Sequence, residues 1–183
     1  MIMVEFKYLT WNEVMRMAIE LSEKIMNSGF KPDIVVGIAR GGVIAARLID
    51  DILGVGKMTS IEVKLYTGIN ERASNAVITQ PLNTNVEGLN VLIVDDISDT
   101  GTTLKVAYEH VASRRPRQVK TATLLIKPWT SFRPDYYIGE TTAWVIFPWE
   151  IGETIRELKG SEDVSRVIVD KDIVARLRSL ITR

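Results

Sequence analysis

An α/β protein, with a mostly parallel twisted sheet flanked by helices, is the fold class this sequence predicts, on three observations. Short apolar runs alternate with segments of helical period. The run at 91–94 lacks the polar alternation of a half-solvated sheet and so reads as a strand buried on both faces, beside a short buried strand at 34–38 and another apolar strand at 119–126. The runs end on Arg40-Gly41-Gly42, on an acid-rich turn after Val94 and on Lys127-Pro128, where an open parallel sheet places its ligands.

The elements follow in order. Val14, Met15, Ala18, Ile19, Leu21, Ile25 and Met26 recur at helical spacing over 11–28, and Lys31-Pro32-Asp33 stops that helix. A buried strand at 34–38 turns at Arg40-Gly41-Gly42 into a helix over 43–53, which Gly54 ends. Residues 58–66 read as a strand. From Thr67 to Gly88 periodicity fades among Gly, Asn, Ser and Thr, with short strand pieces near 76–79. A loop of that length is uncommon in a compact domain and is often functional. Strands at 91–94 and 119–126 flank a helix over 103–113. Shorter strands are expected at 135–138 and 143–147, and an amphipathic helix at 170–181.

Composition narrows the function classes. The 183 residues suit one domain, with a core over about 30–152 and an extension over about 153–183. Lys plus Arg and Asp plus Glu are both 23, which argues against a broad electrostatic grip on nucleic acid or an anionic membrane. No cysteine is present, so disulfides, cysteine zinc sites and thiol nucleophiles are excluded. His110, the single histidine, excludes a histidine-rich metal site and reads as an ordinary helix residue. The N-terminus has acids early and no long apolar core, and no apolar run approaches the roughly 20 residues that span a bilayer. A cytoplasmic location is the expectation.

The chemistry concentrates in VLIVDDISDTGTTL, residues 91–104. Thr100-Gly101-Thr102-Thr103, between a strand and a helix, has the parts of an anion cradle: Gly101 for close backbone approach, hydroxyl donors, and a helix N-terminus that favours negative charge. The spacing is neither a Walker loop nor a dinucleotide fingerprint. Asp95 and Asp96 would repel a phosphate unless they bind sugar hydroxyls or share a magnesium ion with it. A phosphorylated sugar with a metal satisfies both. The plainer reading is that Asp95 and Asp96 end a strand while Asp99 or Thr102 caps a helix. At the second strand end, Arg40 offers a forked donor for phosphate oxygens and the two glycines allow backbone approach.

Residues 91–104 resemble the phosphoribosyl-diphosphate motif of the type I phosphoribosyltransferases: apolar residues, two acids, two variable residues, then D-T-G-x-T. The resemblance covers about residues 33–152 and implies that family's core with a small hood. It implies that Asp95 and Asp96 serve the ribose hydroxyls, with Asp96 also near Mg2+. It implies that Asp99, Thr100, Gly101, Thr102 and Thr103 hold the 5-phosphate, with Asp99 close to purine N7. Residues 36–42 resemble the family's pyrophosphate loop, with Ala39, Arg40 and Gly41 at the contact and a strained or cis non-proline peptide at Ala39–Arg40. Many members carry serine or threonine where Ala39 stands. The segment 67–85 corresponds to a loop that closes over the reaction centre, with Lys64, Tyr66 and Arg72 as candidates for pyrophosphate contacts.

Lys127-Pro128 and Trp144-Val145-x-x-Pro148-Trp149-Glu150 resemble the purine segment of the bacterial xanthine-guanine branch. By that resemblance Lys127 reaches the 6-oxygen, Trp144 stacks on the base and Val145 contacts it through its backbone. An ammonium only donates hydrogen bonds, which fits an oxo group and not an amino group. The implied protein is an enzyme of purine salvage, transferring the 5-phosphoribosyl group of 5-phosphoribosyl-1-diphosphate to a purine base with Mg2+, as a homodimer or homotetramer with no nucleic-acid or membrane partner. An adenine or other base acceptor is the alternative within enzymes. A non-catalytic regulator that binds the sugar diphosphate is the alternative outside them. Balanced charge argues against the regulator, as does the lack of room for a DNA-binding segment in the 30 residues before the first strand.

Overall fold

The computed structural model describes residues 5–67, 74–157, 168 and 171–181. The chain falls into two compact units, Met15–Thr141 and the pair of segments Met1–Val14 with Thr142–Arg183.

The larger unit is built on a six-stranded sheet. Its strands are β2 (Ile34–Ala39), β3 (Met58–Thr67), β4 (Ser74–Gln80), β5 (Asn90–Ser98), β6 (Gln118–Ile126) and β7 (Tyr136–Glu140), in spatial order β4-β3-β2-β5-β6-β7. Every pairing is parallel except β3 with β4. Five strands therefore end at one edge of the sheet. Burial of nearly every residue of β2 and β5, and of β6 from Thr121 onward, explains their largely apolar sequences.

Helix α1 (Trp11–Asn27) starts on a reciprocal cap that satisfies two orphan amides: the Thr10 N–H donates to Glu13 Oε2 at 2.7 Å and the Glu13 N–H to Thr10 Oγ1 at 3.2 Å. Helix α2 (Gly41–Leu53) ends on Gly54 at φ 66°, whose N–H bonds the Asp50 and Asp51 carbonyls. Helix α3 (Thr102–Ala112) buries Leu104, Ala107 and Val111 in a cluster with Ile34, Val36, Ile38, Ile61, Val63, Val91 and Ile93.

Three expectations need correction here. β5 continues through Asp95 and Asp96 to Ser98, past the apolar run, because β6 goes on pairing with it at Ile97↔Leu125 and Ser98↔Ile126. α2 starts at Gly41 rather than at residue 43, so the two glycines form its first turn. The strand pieces expected near 76–79 are one longer strand, β4, which pairs with β3 and sets Ala76 and Ile78 against the core, with Val77 outward. Arg72 lies outside the described residues, as does the rest of 68–73.

In the smaller unit β1 (Phe6–Tyr8) pairs in parallel with β8 (Trp144–Ile146). Helices α4 (Ile151–Glu157) and α5 (Lys171–Ile181) pack on each other. Ile151, Ile155, Ile168 and Val174 form a core there with Tyr8, Leu177 and Ile181. From α5, Val174, Leu177 and Ile181 contribute to this core. Among the described residues no helix is long and apolar enough to cross a membrane.

Candidate active site

At the carboxyl edge of the larger sheet, β5 delivers Asp95 and Asp96 into near-complete burial, each 8% exposed. Asp95 Oδ1 accepts the Asp96 N–H at 3.0 Å, and Asp96 Oδ1 accepts the Ile97 N–H at 2.8 Å. The acids are thus anchored by strand backbone. Gly42 has a different role from the ligand approach its sequence suggested. A Cβ there would lie 2.7 Å from both Asp95 Oδ1 and the Val94 carbonyl oxygen, so the glycine lets the first turn of α2 rest directly on β5.

Beyond Ser98 the chain turns through Asp99, Thr100 and Gly101 into α3. Gly101 sits at φ 85° at the start of α3, and the Thr102 N–H at the helix's first position donates to Thr100 Oγ1 at 3.4 Å. Thr100 Oγ1 donates to Thr102 Oγ1 at 3.0 Å. A cavity of about 130 Å³ opens here, lined by Leu65, Asp95, Ile97, Ser98, Asp99, Thr100, Gly101, Thr103 and Leu104. Asp96 and Thr102 flank it in sequence but do not line it.

A second turn, residues 127–132, is sewn to the first. The Lys127 N–H donates to the Ser98 carbonyl at 2.9 Å. Ser98 and Thr130 hydroxyls share a 2.9 Å hydrogen bond. The Thr100 carbonyl accepts both the Ser131 N–H at 2.9 Å and the Ser131 hydroxyl at 2.7 Å. A Cβ on Gly101 would collide with the Phe132 amide nitrogen. Lys127 is 6% exposed, and burial pushes its pKa down from the ordinary lysine value while the Asp99 carboxylate pulls it back up. Its ammonium lies 5.5 Å from the Trp129 ring centroid, and the Trp129 indole N–H donates to Asp99 Oδ1 at 2.9 Å.

A larger cavity of about 400 Å³ gathers Ala39, Arg40, Glu62, Val63 and Lys64. The Ala39–Arg40 peptide is cis, as the sequence resemblance implied. Glu62 was not foreseen. Its carboxylate accepts the Thr79 hydroxyl at 2.6 Å, sits 3.7 Å from the Lys64 ammonium, and is held below the ordinary carboxylate pKa chiefly by the Thr79 hydrogen bond. Gly41 opens α2 beside this cavity.

The larger unit therefore brings together Asp95, Asp99, Thr100, Gly101 and Thr103 in one cavity and Ala39, Arg40 and Lys64 in another. Trp144 and Val145 belong to β8 of the smaller unit, where they pair with Phe6 and Lys7. Trp144 is 53% exposed. Sequence reasoning passed over Glu62, the 130–132 turn and Trp129. Of these only Trp129 carried a signal, an aromatic directly after the Lys127-Pro128 pair.

The larger sheet thus carries paired acids, a strand-to-helix turn through Gly101 and a buried lysine at its carboxyl edge. The phosphoribosyl transferase domain matches residues 7–156, and the chain belongs to that family of enzymes, which transfer a phosphoribosyl group. Its relatives lie in the purine branch. A xanthine-guanine phosphoribosyltransferase of Cereibacter sphaeroides is 31% identical over 153 residues, covering 79% of this chain and 86% of that protein. A hypoxanthine-guanine phosphoribosyltransferase of Staphylococcus epidermidis is 37% identical over 99 residues, covering 54% of this chain and 55% of that one. The crystal structure of a purine phosphoribosyltransferase from Pyrococcus horikoshii superposes with a TM-score of 0.73 at 45% identity, covering 79% of this chain and 93% of that one.

Proposed function

We propose that the protein joins a 6-oxopurine (guanine, hypoxanthine or xanthine) to the ribose of 5-phosphoribosyl-1-diphosphate, giving a nucleoside 5-monophosphate and pyrophosphate in purine salvage. One observation carries the reading. The seam between turns 98–101 and 127–132 holds the Asp99 carboxylate and the buried Lys127 within one hydrogen-bonded unit, and a cavity of about 130 Å³ opens on the first of those turns.

The 5-phosphate takes the cradle of Thr100, Gly101, Thr102 and Thr103, with hydroxyls and first-turn amides of α3 as donors. The carboxylates of Asp95 and Asp96, held by strand backbone, accept from the ribose hydroxyls. Arg40 and Lys64, with the backbone at Ala39 and Gly41, bind the departing pyrophosphate. As the N9–C1′ bond forms, the C1′–oxygen bond breaks and its electron pair leaves with pyrophosphate. The N7 proton of the base passes to Asp99. Lys127 donates to the 6-oxo group and loses solvation without return against the 6-amino group of adenine. For Trp144 and Val145 the reading rests on the sequence resemblance alone, as stacking by the indole and a backbone contact to the base.

Magnesium fits this donor set. It favours hard oxygen ligands and is commonly held by one or two carboxylates plus substrate phosphates. Asp95 and Asp96, at consecutive positions of β5, offer carboxylate oxygens of that kind. Asp96 would hold it, and when bound the ion neutralises charge on the leaving pyrophosphate. The same reading makes the protein a cytoplasmic homodimer or homotetramer.

Calorimetry of 5-phosphoribosyl-1-diphosphate binding tests the reading. Asp95→Asn with Asp96→Asn should weaken affinity at least tenfold and blunt its magnesium dependence. Unchanged affinity and magnesium dependence would remove the assignment.

A further inference from the structure

The Asp99 carboxylate is exposed on a turn, and a group that must take a proton from a base at one angle needs something to hold it. Among the described residues its hydrogen bond comes from the Trp129 indole N–H at 2.9 Å, on Oδ1. Its second oxygen, Oδ2, remains for a substrate. Trp129 is 55% exposed and buries little core of its own, so packing does not account for its position. Its turn is pinned on both sides of Asp99, through Thr130 to Ser98 and through Ser131 to Thr100. The same ring lies 5.5 Å from the Lys127 ammonium. On a 6-oxopurine, N7 and O6 are neighbouring atoms of one edge. Asp99 and Lys127 are the groups the proposed function aims at those two atoms, and one indole touches both.

We propose that Trp129 is a positioning residue for purine recognition: its N–H fixes the Asp99 carboxylate so that Oδ2 meets N7–H, and its ring holds the Lys127 ammonium towards O6. This rests on the proposed function and adds to it the residue that aligns the two edge-reading groups. A base oriented by a third group is the usual logic of an activated proton acceptor. Orientation acts on the chemical step, so its loss lowers kcat more than it changes binding of the sugar diphosphate.

The test is a double-mutant cycle in the full-length protein, with hypoxanthine as the base. Trp129→Phe keeps an aromatic ring and deletes the N–H, at a position that is 55% exposed. A hydrogen bond to a charged group, discounted for exposure, corresponds to about tenfold, so kcat should fall about tenfold with KM for the sugar diphosphate unchanged. With Asp99→Asn already present, Trp129→Phe should change kcat less than about twofold, because the group it orients has gone. Trp129→Leu, which removes the ring as well, should also narrow the preference for hypoxanthine over adenine. Wild-type kcat in Trp129→Phe, or equal loss in both backgrounds, would overturn the inference while leaving the proposed function standing. Full turnover by Asp99→Asn alone would instead remove Asp99 as proton acceptor, and the inference would fall with it.

Discussion

Gly101→Ala puts the largest local perturbation on the phosphate cradle with the smallest chemical change. Two costs add. The residue sits at φ 85°, where an L side chain costs roughly 1–2 kcal/mol. The new Cβ would also meet the Phe132 amide nitrogen and lie 2.9 Å from Phe132 Cβ and Thr130 Oγ1. The nearest of these is backbone and cannot rotate away, so the 127–132 turn must shift and strain its bonds to Ser98 and Thr100. Overpacking of this kind costs about 1–3 kcal/mol. The total of roughly 2–5 kcal/mol corresponds to a fall in Tm of about 4–20 °C for a chain of this size. Gly88 supplies the control: its φ is 72° and nothing lies within 4 Å of its ideal Cβ, so Gly88→Ala isolates the backbone cost. Calorimetric melts of both variants, with kcat/KM for 5-phosphoribosyl-1-diphosphate, make the comparison. Gly101→Ala should melt well below Gly88→Ala and lose at least tenfold in kcat/KM. Melting points within 2 °C of each other (about 1 kcal/mol or less) and an unaltered kcat/KM would refute the tight seam between the two turns.

Arg40→Ala should raise KM for the sugar diphosphate by about tenfold to a hundredfold, the worth of a charge-assisted phosphate contact, and change KM for the base far less. Steady-state kinetics that moved only the base parameter would misplace Arg40. His110 gives a pH prediction. Its Nε2 accepts the Leu82 N–H at 3.0 Å, and burial, with a smaller effect of Arg114, lowers its pKa from the ordinary 6.5. The folded state therefore binds its proton less readily than the unfolded chain. Its contribution to stability is fully present above 6.5 and is lost as pH falls from there towards the lowered folded value. Denaturant midpoints at pH 7.5 and pH 5 should differ more for the wild type than for His110→Ala, and an equal difference would show that His110 does not link the two states.

Most of the larger unit was legible because burial on both faces leaves a strong signature. The apolar runs at 34–38, 91–94 and 119–126 and the helical spacing of Val14, Ala18, Leu21 and Ile25 needed no tertiary information. The chain was misread where pairing or packing overrode side-chain character. Asp95 and Asp96 remain in β5 because β6 pairs with the strand through Ser98, and at Gly42 only a bare backbone lets the first turn of α2 rest on Asp95. β8 answers the strand expected at 143–147, but β1 and its pairing were not foreseen: the pair is three residues long on each side and joins segments far apart in sequence. The dense motif at 95–103 was readable because it is local in sequence. The Trp129–Asp99 bond was not, since it spans 30 positions and depends on two turns meeting. His110, which read as an ordinary helix residue, ties α3 to the segment after β4 through the Leu82 amide.

The central claim is tested most directly by pyrophosphate release from 5-phosphoribosyl-1-diphosphate and magnesium with guanine, hypoxanthine, xanthine and adenine in turn. Discrimination should come from Lys127, whose donors meet an acceptor on O6 and a donor on the adenine amino group. The account predicts turnover with at least one 6-oxopurine, a kcat/KM at least tenfold above that for adenine, and a narrowed gap in Lys127→Gln, because a side-chain amide can also accept. Preference for adenine by the wild type would contradict the base assignment, and binding of the sugar diphosphate without pyrophosphate release for any base would contradict the account as a whole.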